Sequence, residues 1–193
     1  MSAPLLMVLF DAVYLIALTA WVGSILFFSF GIAPILFQVL DAEAAGKFVR
    51  VIFPRYYLWG AISGAIALPS AVAVPLAFPE LRGPWVGVRA LVILASTLIM
   101  LYAGNSLTPR INESYDAGLA GRARFERLHK RSVRLNGLVL VLGLGLLIAF
   151  AARPHPRSEG TIELTPFERA LLRTKLESGA IGPPAPRTEP APR

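Results

Sequence analysis

Three polar side chains recur on one side of a basic segment, residues 125–136. His129, Ser132 and Asn136 are spaced i, i+3, i+7, which places them on one stripe of an α-helix. Side chains of these types can form hydrogen bonds, relay protons or, at His129, ligate a metal. The segment runs without a breaker into the uncharged residues 137–152. We therefore predict that this polar stripe is buried against other helices of a membrane bundle.

A second stripe of the same segment is basic. It consists of Arg127, Lys130, Arg131 and Arg134, at i, i+3, i+4, i+7. Basic residues beside an apolar span are attracted to anionic lipid headgroups. We therefore expect the lipid bilayer, with its anionic headgroups, to be the partner of this stripe.

A haem or metal site at His129 has little support. A bis-histidine haem needs two imidazoles, and the only other histidine is His155. About 26 residues of mainly helical chain separate them, or about 39 Å at 1.5 Å per residue. The absence of cysteine and the presence of only three methionines disfavour a copper site. We predict no cofactor and no metal, and a hydrogen-bonding role for the polar stripe.

Further polar residues are expected at the same level of the membrane. Asn105 and Arg110 follow one predicted span, and residues 54–56 precede another. Together with His129, Ser132 and Asn136 they would either line a small polar pocket or bond one another's backbone where Pro54 and Pro109 break the helices. The sequence contains no catalytic dyad, serine nucleophile motif or glycine-rich phosphate loop. We therefore predict no enzymatic activity.

Asp11 and Arg89 are charged residues inside predicted spans. Ionised groups there are costly unless they are paired or reach water. Both lie one to two turns from the same predicted surface, so an ion pair between them is one prediction. Separate extension of each side chain to the nearby headgroups is the alternative.

The composition is that of a membrane protein. Hydrophobic residues make up 55% of the 193 residues and charged residues 16%, and the mean hydropathy is +0.60. Soluble domains average about 25% charged residues. The net charge of +7 would suggest nucleic acid in a soluble protein, but here the basic residues flank apolar runs. Because they also lack aromatic interleaving, we do not expect nucleic acid to bind.

Four apolar segments approach the roughly 20 residues that cross a bilayer. They give an all-α, four-helix integral membrane bundle as the predicted fold. Residues 60–64 form a G-x-x-x-G, a pattern that permits close helix packing. Tyr56, Tyr57, Trp59 and Trp85 suit an interfacial belt, whereas Trp21 lies mid-span and is expected between helices. The predicted spans are residues 5–32 (ending before Pro34), 56–78 (containing Pro69 and Pro75), 85–103 and 135–152.

Lysine and arginine are unevenly divided between the two sides of these spans. Residues 33–55 and 104–134 carry Lys47, Arg50, Arg55, Arg110, Arg122, Arg124, Arg127, Lys130, Arg131 and Arg134, whereas the opposite side carries Arg82, Arg89, Arg153 and Arg157 near the membrane. The positive-inside rule then predicts cytoplasmic loops at 33–55 and 104–134 and both termini outside the cytoplasm. The predicted location is the cell membrane.

Residues 153–193 differ from the predicted membrane domain of residues 1–152. They contain half of the 16 prolines, a composition typical of disordered or polyproline segments. Within them Thr165, Pro166 and Glu168 form a helix start, with threonine as N-cap. We predict a short amphipathic helix near residues 166–178, which either lies on the membrane or docks a partner.

Five motifs resemble the transmembrane protein 205-like family, a family of unknown function. They occur in the expected order within residues 5–152, at residues 21–23, 30–37, 52–56, 105–110 and 129–136. The resemblance implies a four-span membrane protein, with animal relatives linked to drug resistance and trafficking. Thr108 stands where a glutamate precedes the proline and arginine of animal relatives, so a shared charge role there is not expected.

These features favour an integral membrane protein with an accessory or scaffold role. The first alternative is a small-molecule or ion transporter. Four spans are few for alternating access, and no paired inverted repeat of broken helices is evident, although a homo-oligomer would restore enough spans. The second alternative is a redox membrane subunit, which the histidine count disfavours. A larger membrane complex is a further partner class left open by the sequence.

Overall fold

The computed structural model describes residues 3–79, 82–153 and 166–178. The regular structure of these residues is helical, which confirms the all-α prediction. In chain order it comprises α1 (Ala3–Leu26), a first π-helical segment (Phe27–Ile32), α2 (Ala33–Val39), α3 (Ala42–Ala77), α4 (Pro84–Tyr102), a second π-helical segment (Ala103–Leu107), α5 (Thr108–Asp116), α6 (Gly118–Ala151) and α7 (Pro166–Glu177).

Four of these helical stretches are long and apolar enough to cross a membrane. They are spanning helix 1 (Leu5–Val39), spanning helix 2 (Ala42–Ala77), spanning helix 3 (Pro84–Asp116) and spanning helix 4 (Gly118–Ala151). The protein is therefore a multi-pass membrane protein built as a four-helix bundle. Each stretch has 33–36 residues, or about 50 Å at 1.5 Å per residue, whereas the bilayer hydrocarbon is about 30 Å thick.

The extra length corrects the predicted loops. Residues 33–55 and 104–134, expected as loops, are helical almost throughout. Spanning helices 1 and 2 are joined by Leu40 and Asp41, where the Asp41 side chain caps α3 by accepting a 2.8 Å hydrogen bond from the Ala44 N–H. Spanning helices 3 and 4 are joined at Ala117, and Gly118 supplies the positive φ of 58° that this turn requires. We call the end of the bundle that holds these two connections the basic end.

Proline does not break the helices where the sequence suggested it would. Pro54, Pro69 and Pro75 all lie inside α3. Nearby side chains bond carbonyls of the same helix: Arg55 donates to the Val51 carbonyl at 2.8 Å, and the Ser70 hydroxyl donates to the Ile66 carbonyl at 2.9 Å. Membrane helices tolerate proline, and α3 continues through all three of these prolines.

The core fills the space between the spanning helices away from the basic end. Trp21 is fully buried there, as predicted for a mid-span tryptophan, and Leu18 and Ile25 extend the same face of α1. Ile93 of α4 and Val139 of α6 complete the cluster. Their burial ties spanning helix 1 to its neighbours over about two turns.

Glycines allow two of the closest helix contacts. A Cβ at Gly64 would collide with Thr97 Oγ1, and a Cβ at Gly60 would lie 2.9 Å from the Met100 methyl carbon. The G-x-x-x-G of α3 thus packs against α4. A Cβ at Gly143 would lie 2.6 Å from Val22 Cγ2, so α6 approaches α1 at this glycine. By contrast, Gly23 and Gly145 have open space beside them.

The helix α7 belongs to a second unit of the chain, separate from the bundle. Lys175 lies in its last turn, where a positive charge stabilises the helix by interacting with the negative end of the helix dipole. The predicted N-cap Thr165 and the proline-rich stretch lie outside the described residues.

Candidate functional site

A cavity of about 520 Å³ lies at the basic end and is lined by all four spanning helices. We call it the basic-end cavity. Most of its wall is apolar, from Phe28, Leu36, Val49, Phe53, Ile111 and Phe125, among others. The polar lining residues are Ser29, Arg50, Tyr57, Thr108, Asn112, Tyr115, His129, Ser132 and Asn136. Pockets of this volume and lining typically bind small molecules.

The π segment of spanning helix 1 shapes one wall of this cavity. In a π-helix each N–H bonds the carbonyl five residues earlier instead of four. Here the Ala33 N–H donates to the Phe28 carbonyl. Pro34 follows at the start of α2. Because proline cannot donate a hydrogen bond and crowds the carbonyl four residues before it, the wider π turn accommodates it. Phe28, Ser29 and Ala33 of this region line the cavity.

Spanning helix 3 repeats this arrangement on another wall. The Thr108 N–H donates to the Ala103 carbonyl across the second π segment, and Pro109 follows. The Thr108 hydroxyl donates a second hydrogen bond to the same carbonyl at 2.8 Å. Pro109 therefore does not break the helix, contrary to the sequence-based expectation. Single π turns inside α-helices occur often at functional sites.

Two tyrosines of α3 bind the polar stripe of α6. The Tyr56 hydroxyl donates to Asn136 Oδ1 at 2.6 Å, and the Tyr57 hydroxyl lies 2.8 Å from Ser132 Oγ. Both tyrosines are buried, Tyr57 with 2% of its surface exposed. The prediction of an interfacial belt at these positions is wrong, because their hydroxyls have side-chain partners inside the bundle.

Aromatic rings pack around the two tyrosines. Phe28 of spanning helix 1 and Phe53 of α3 have ring centroids 5.2 Å apart, and both contact Tyr56 at 5.3–5.9 Å. Tyr56 and Tyr57 meet edge to face at 5.1 Å. Aromatic pairs at such distances add stabilisation beyond the burial of their area, so these rings stabilise the wall at this end of the cavity.

A charged residue lines the cavity close to the connections. Arg50 of α3 forms a salt bridge with Asp116 at the end of α5, and its guanidinium lies 5.0 Å from the centre of the Tyr115 ring. Tyr115 packs edge to face on Phe125 at 5.8 Å. These contacts join spanning helices 2, 3 and 4 and hold a cation beside the cavity.

The predicted polar cluster is only partly assembled. Ser132 and Asn136 are half-buried and lie together on the cavity wall. His129 also lines the cavity and stacks on Phe125 at 5.7 Å, but it is exposed rather than buried. Its expected burial against other helices is therefore corrected.

Asn105 and Arg110 do not belong to the cluster. Both side chains are exposed and lie outside the cavity lining. The cause is their position in the second π segment and at the start of α5, where the face that meets the bundle consists of Ala103, Leu107 and Thr108. In the basic stripe, Arg131 is exposed and its guanidinium lies 5.2 Å from the centre of the Tyr102 ring of α4.

The expected partner of Asp11 is replaced. Asp11 forms a two-pronged ion pair with Arg153, at 3.1 Å and 3.2 Å, instead of pairing with Arg89. Arg153 directly follows α6 and also stacks on Phe150 at 3.5 Å, while Phe150 stacks on Tyr14 at 5.5 Å. The end of α6 thus places the Arg153 guanidinium beside the first half of α1. This cluster lies at the end of the bundle opposite the basic end.

Sequence reasoning missed several residues of the cavity. Tyr57, Arg50 and Asn112 contribute its polar groups but were not assigned to a site. A signal was present for Tyr57. Two adjacent tyrosines begin one predicted span, and the polar stripe begins another span at the same end of the predicted bundle, so the two could have been expected to meet. Among the described residues, no group of three or more histidine, cysteine or acidic side chains is positioned to hold a metal ion.

The arrangement can hold a molecule with an apolar body and hydrogen-bonding groups. Its wall is mostly apolar, while the hydroxyls, amides and Arg50 offer donors and acceptors.

Comparison with known proteins gives one match. No curated protein and no solved structure matches the chain. A family model described as a domain of unknown function (DUF4149) matches residues 16–120. The matched residues include all of spanning helices 2 and 3 and most of spanning helix 1, with both π segments and the tyrosine pair. Because they make up more than half of the 193 residues, the protein belongs to the DUF4149 family.

Proposed function

We propose that this protein is a non-enzymatic accessory protein of the cell membrane that binds an amphipathic small molecule in the basic-end cavity. The observation that carries the proposal is the cavity itself, with its apolar wall between polar ends.

The hydrogen bonds at the inner end support a binding role. Asn136 accepts from Tyr56 through Oδ1, and an amide has two N–H donors besides that oxygen. The Tyr57 and Ser132 hydroxyls share one hydrogen bond and retain further acceptor capacity. A ligand with a carbonyl or hydroxyl oxygen would meet these groups without leaving a buried polar group unpaired.

The excess of basic residues supports a cytoplasmic basic end. Ten lysines and arginines lie in residues 33–55 and 104–134, against four near the membrane on the opposite side. Under this proposal both termini lie outside the cytoplasm, and the anionic headgroups of the inner leaflet surround the basic stripe of α6. Kinship with the transmembrane protein 205-like family is part of the proposal and rests on the five motifs.

Filling the cavity tests the proposal. Ala33 lines the cavity, whereas Ile35 lies two residues further on and is 60% exposed. We would purify the wild type, Ala33→Trp and Ile35→Trp in mild detergent and weigh each by native mass spectrometry. A bound non-protein mass on the wild type and Ile35→Trp, lost from Ala33→Trp, is expected. Equal binding by all three, or no bound mass on the wild type, would refute the proposal.

Paired helix interruptions favour transport as a second candidate function. The first helix of each hairpin contains a π segment followed by proline, at the same end of the bundle. Paired interruptions in corresponding positions mark binding sites in transporters; these two are parallel rather than inverted. Spin labels on Phe37→Cys and Val133→Cys would test this function in the cysteine-free chain. Two distance populations would support a transporter, and a single narrow one a static binding protein.

A further inference from the structure

Three sides of the basic-end cavity are closed by helix contacts, and the fourth is open. At this level α2 packs on α3, α3 packs on the second π segment and α5, and α5 packs on α6. The remaining side lies between α2 and α6. Within these two helices, both fully described, no Cα of α2 comes within 8 Å of a Cα of α6.

The opening begins where the first π segment begins. Before it, α1 contacts α6 closely, with Val22 against Gly143 and Tyr14 stacked on Phe150. After it, the chain continues as α2 without contacting α6. The opening is thus a lateral mouth on the side of the bundle, between spanning helices 1 and 4.

The two rims of this mouth differ in chemistry. The α2 rim is apolar, with Phe37 67% exposed and Ile35 and Val39 also exposed. On the α6 rim, Val133 is 57% exposed and has the exposed basic residues Lys130 and Arg134 beside it. Lys130 is three positions before Val133, so the two are neighbours on the helix surface. An apolar rim beside a basic rim matches a lipid whose chains and headgroup lie side by side.

We propose that the ligand is an anionic phospholipid, which inserts one acyl chain laterally through this mouth while its headgroup stays at Lys130 and Arg134. This inference rests on the proposed binding function and adds the ligand class and its route. The largely apolar wall suits a hydrocarbon chain, and 520 Å³ is a volume for one chain rather than for a whole two-chain lipid. The basic rim favours an anionic headgroup over a zwitterionic one.

Nanodiscs of defined lipid test the headgroup preference. Delipidated protein would be placed in discs made of equal amounts of phosphatidylglycerol and phosphatidylcholine. The protein would then be released from the discs, and the lipid molecules still bound to it would be counted by native mass spectrometry. We expect one retained phosphatidylglycerol on the wild type and none on Ala33→Trp. Lys130→Gln with Arg134→Gln should reduce the preference for phosphatidylglycerol about fivefold for each charge removed. The control, Arg124→Gln with Arg127→Gln, removes equal charge farther from the mouth and should change the preference little.

Closing the mouth tests the route. Val39 on α2 and Glu126 on α6 are exposed and lie outside the cavity lining, and Glu126 is seven residues before Val133, on the same face of α6. Because a disulfide needs Cα atoms within about 7 Å, Val39→Cys and Glu126→Cys would be bridged by a bifunctional maleimide before the lipid is supplied. The bridged protein should retain no phosphatidylglycerol, whereas each single cysteine variant treated with the same reagent should retain it.

Retention by the bridged protein, or equal retention of both lipids by the wild type, would overturn this inference. A water-soluble molecule found on the wild type in place of lipid, and lost from Ala33→Trp, would also overturn it while leaving the proposed binding function intact. No bound molecule of either kind would refute both.

Discussion

Tyr56 and Asn136, 80 positions apart in the chain, are joined by a 2.6 Å hydrogen bond from the tyrosine hydroxyl to the asparagine Oδ1. The bond fixes α3 against α6 at the inner end of the cavity. Next to it, Tyr57 and Ser132 form a second contact between the same helices. Because both tyrosines are buried, their hydroxyls depend on these partners.

Removal of Asn136 should therefore destabilise the bundle. Asn136→Leu leaves the Tyr56 hydroxyl without its acceptor, and a buried polar group without a partner costs about 1–3 kcal/mol. The loss should appear as a lower midpoint of thermal unfolding in detergent, followed by circular dichroism. Adding Tyr56→Phe should restore part of it, since both polar groups are then gone. If the two single losses simply add, the hydrogen bond contributes nothing.

The ion pair at the opposite end should have a small effect. The side chains of Asp11 and Arg153 are 32% and 37% exposed, and such partly exposed pairs are worth about 0.5–1 kcal/mol. We expect Asp11→Asn and Arg153→Gln to lower stability by that amount, without additivity in the double variant. Arg89→Gln serves as the control and should not be coupled to Asp11→Asn. A coupling free energy between Asp11 and Arg89 in a double-mutant cycle would contradict this and support the ion pair predicted from the sequence.

The packing of α3 on α4 predicts a sharp difference between two glycines. Gly64→Ala should cost about 1–3 kcal/mol, because its Cβ would collide with Thr97. Gly145→Ala has open space and should be neutral or slightly stabilising, since alanine favours a helix over glycine. Unfolding in detergent would compare them. Thr97→Ala in the Gly64→Ala background should recover much of the loss; if it recovers none, the collision is not the cause.

The orientation can be measured directly because the chain lacks cysteine. Single cysteines at Ala120 and Gly83, both exposed and at opposite ends of the bundle, would be labelled with a membrane-impermeant maleimide. With the basic end in the cytoplasm, the Gly83→Cys variant should react in intact cells and the Ala120→Cys variant only after permeabilisation. The reverse pattern would invert the proposed topology.

The four spans were predictable because hydropathy is a local property. Residues 56–78 and 135–152 are uncharged and near the right length, and the structure contains both within longer helices. The helical extensions were not predictable from hydropathy, because residues 42–55 and 118–134 are too polar to register as membrane spans. These residues are helical because the connections before them are very short. Two residues, Leu40 and Asp41, precede α3, and one residue, Ala117, precedes α6.

The site was less predictable, because its contacts depend on partners far away in sequence. Matching depths suggested Arg89 for Asp11, but Arg153 lies at the same end and directly follows α6, and depth alone cannot separate the two. The polar stripe of α6 was visible from its spacing. The tyrosines that meet it were not recognised, since tyrosine at the edge of a span is also typical of the interfacial belt.

The first π segment adds one residue to the helical count and so changes which side of α2 meets the bundle. A regular helix continued from Ile25 would carry Val39 inward, yet Val39 is 74% exposed. It would also place Phe37 about 120° away from Ile25, yet Phe37 lines the cavity. Deletion of a single residue here would return α2 to the regular phase and turn Val39 toward the cavity in place of Phe37. A one-codon deletion could thus remodel the cavity wall without a single substitution.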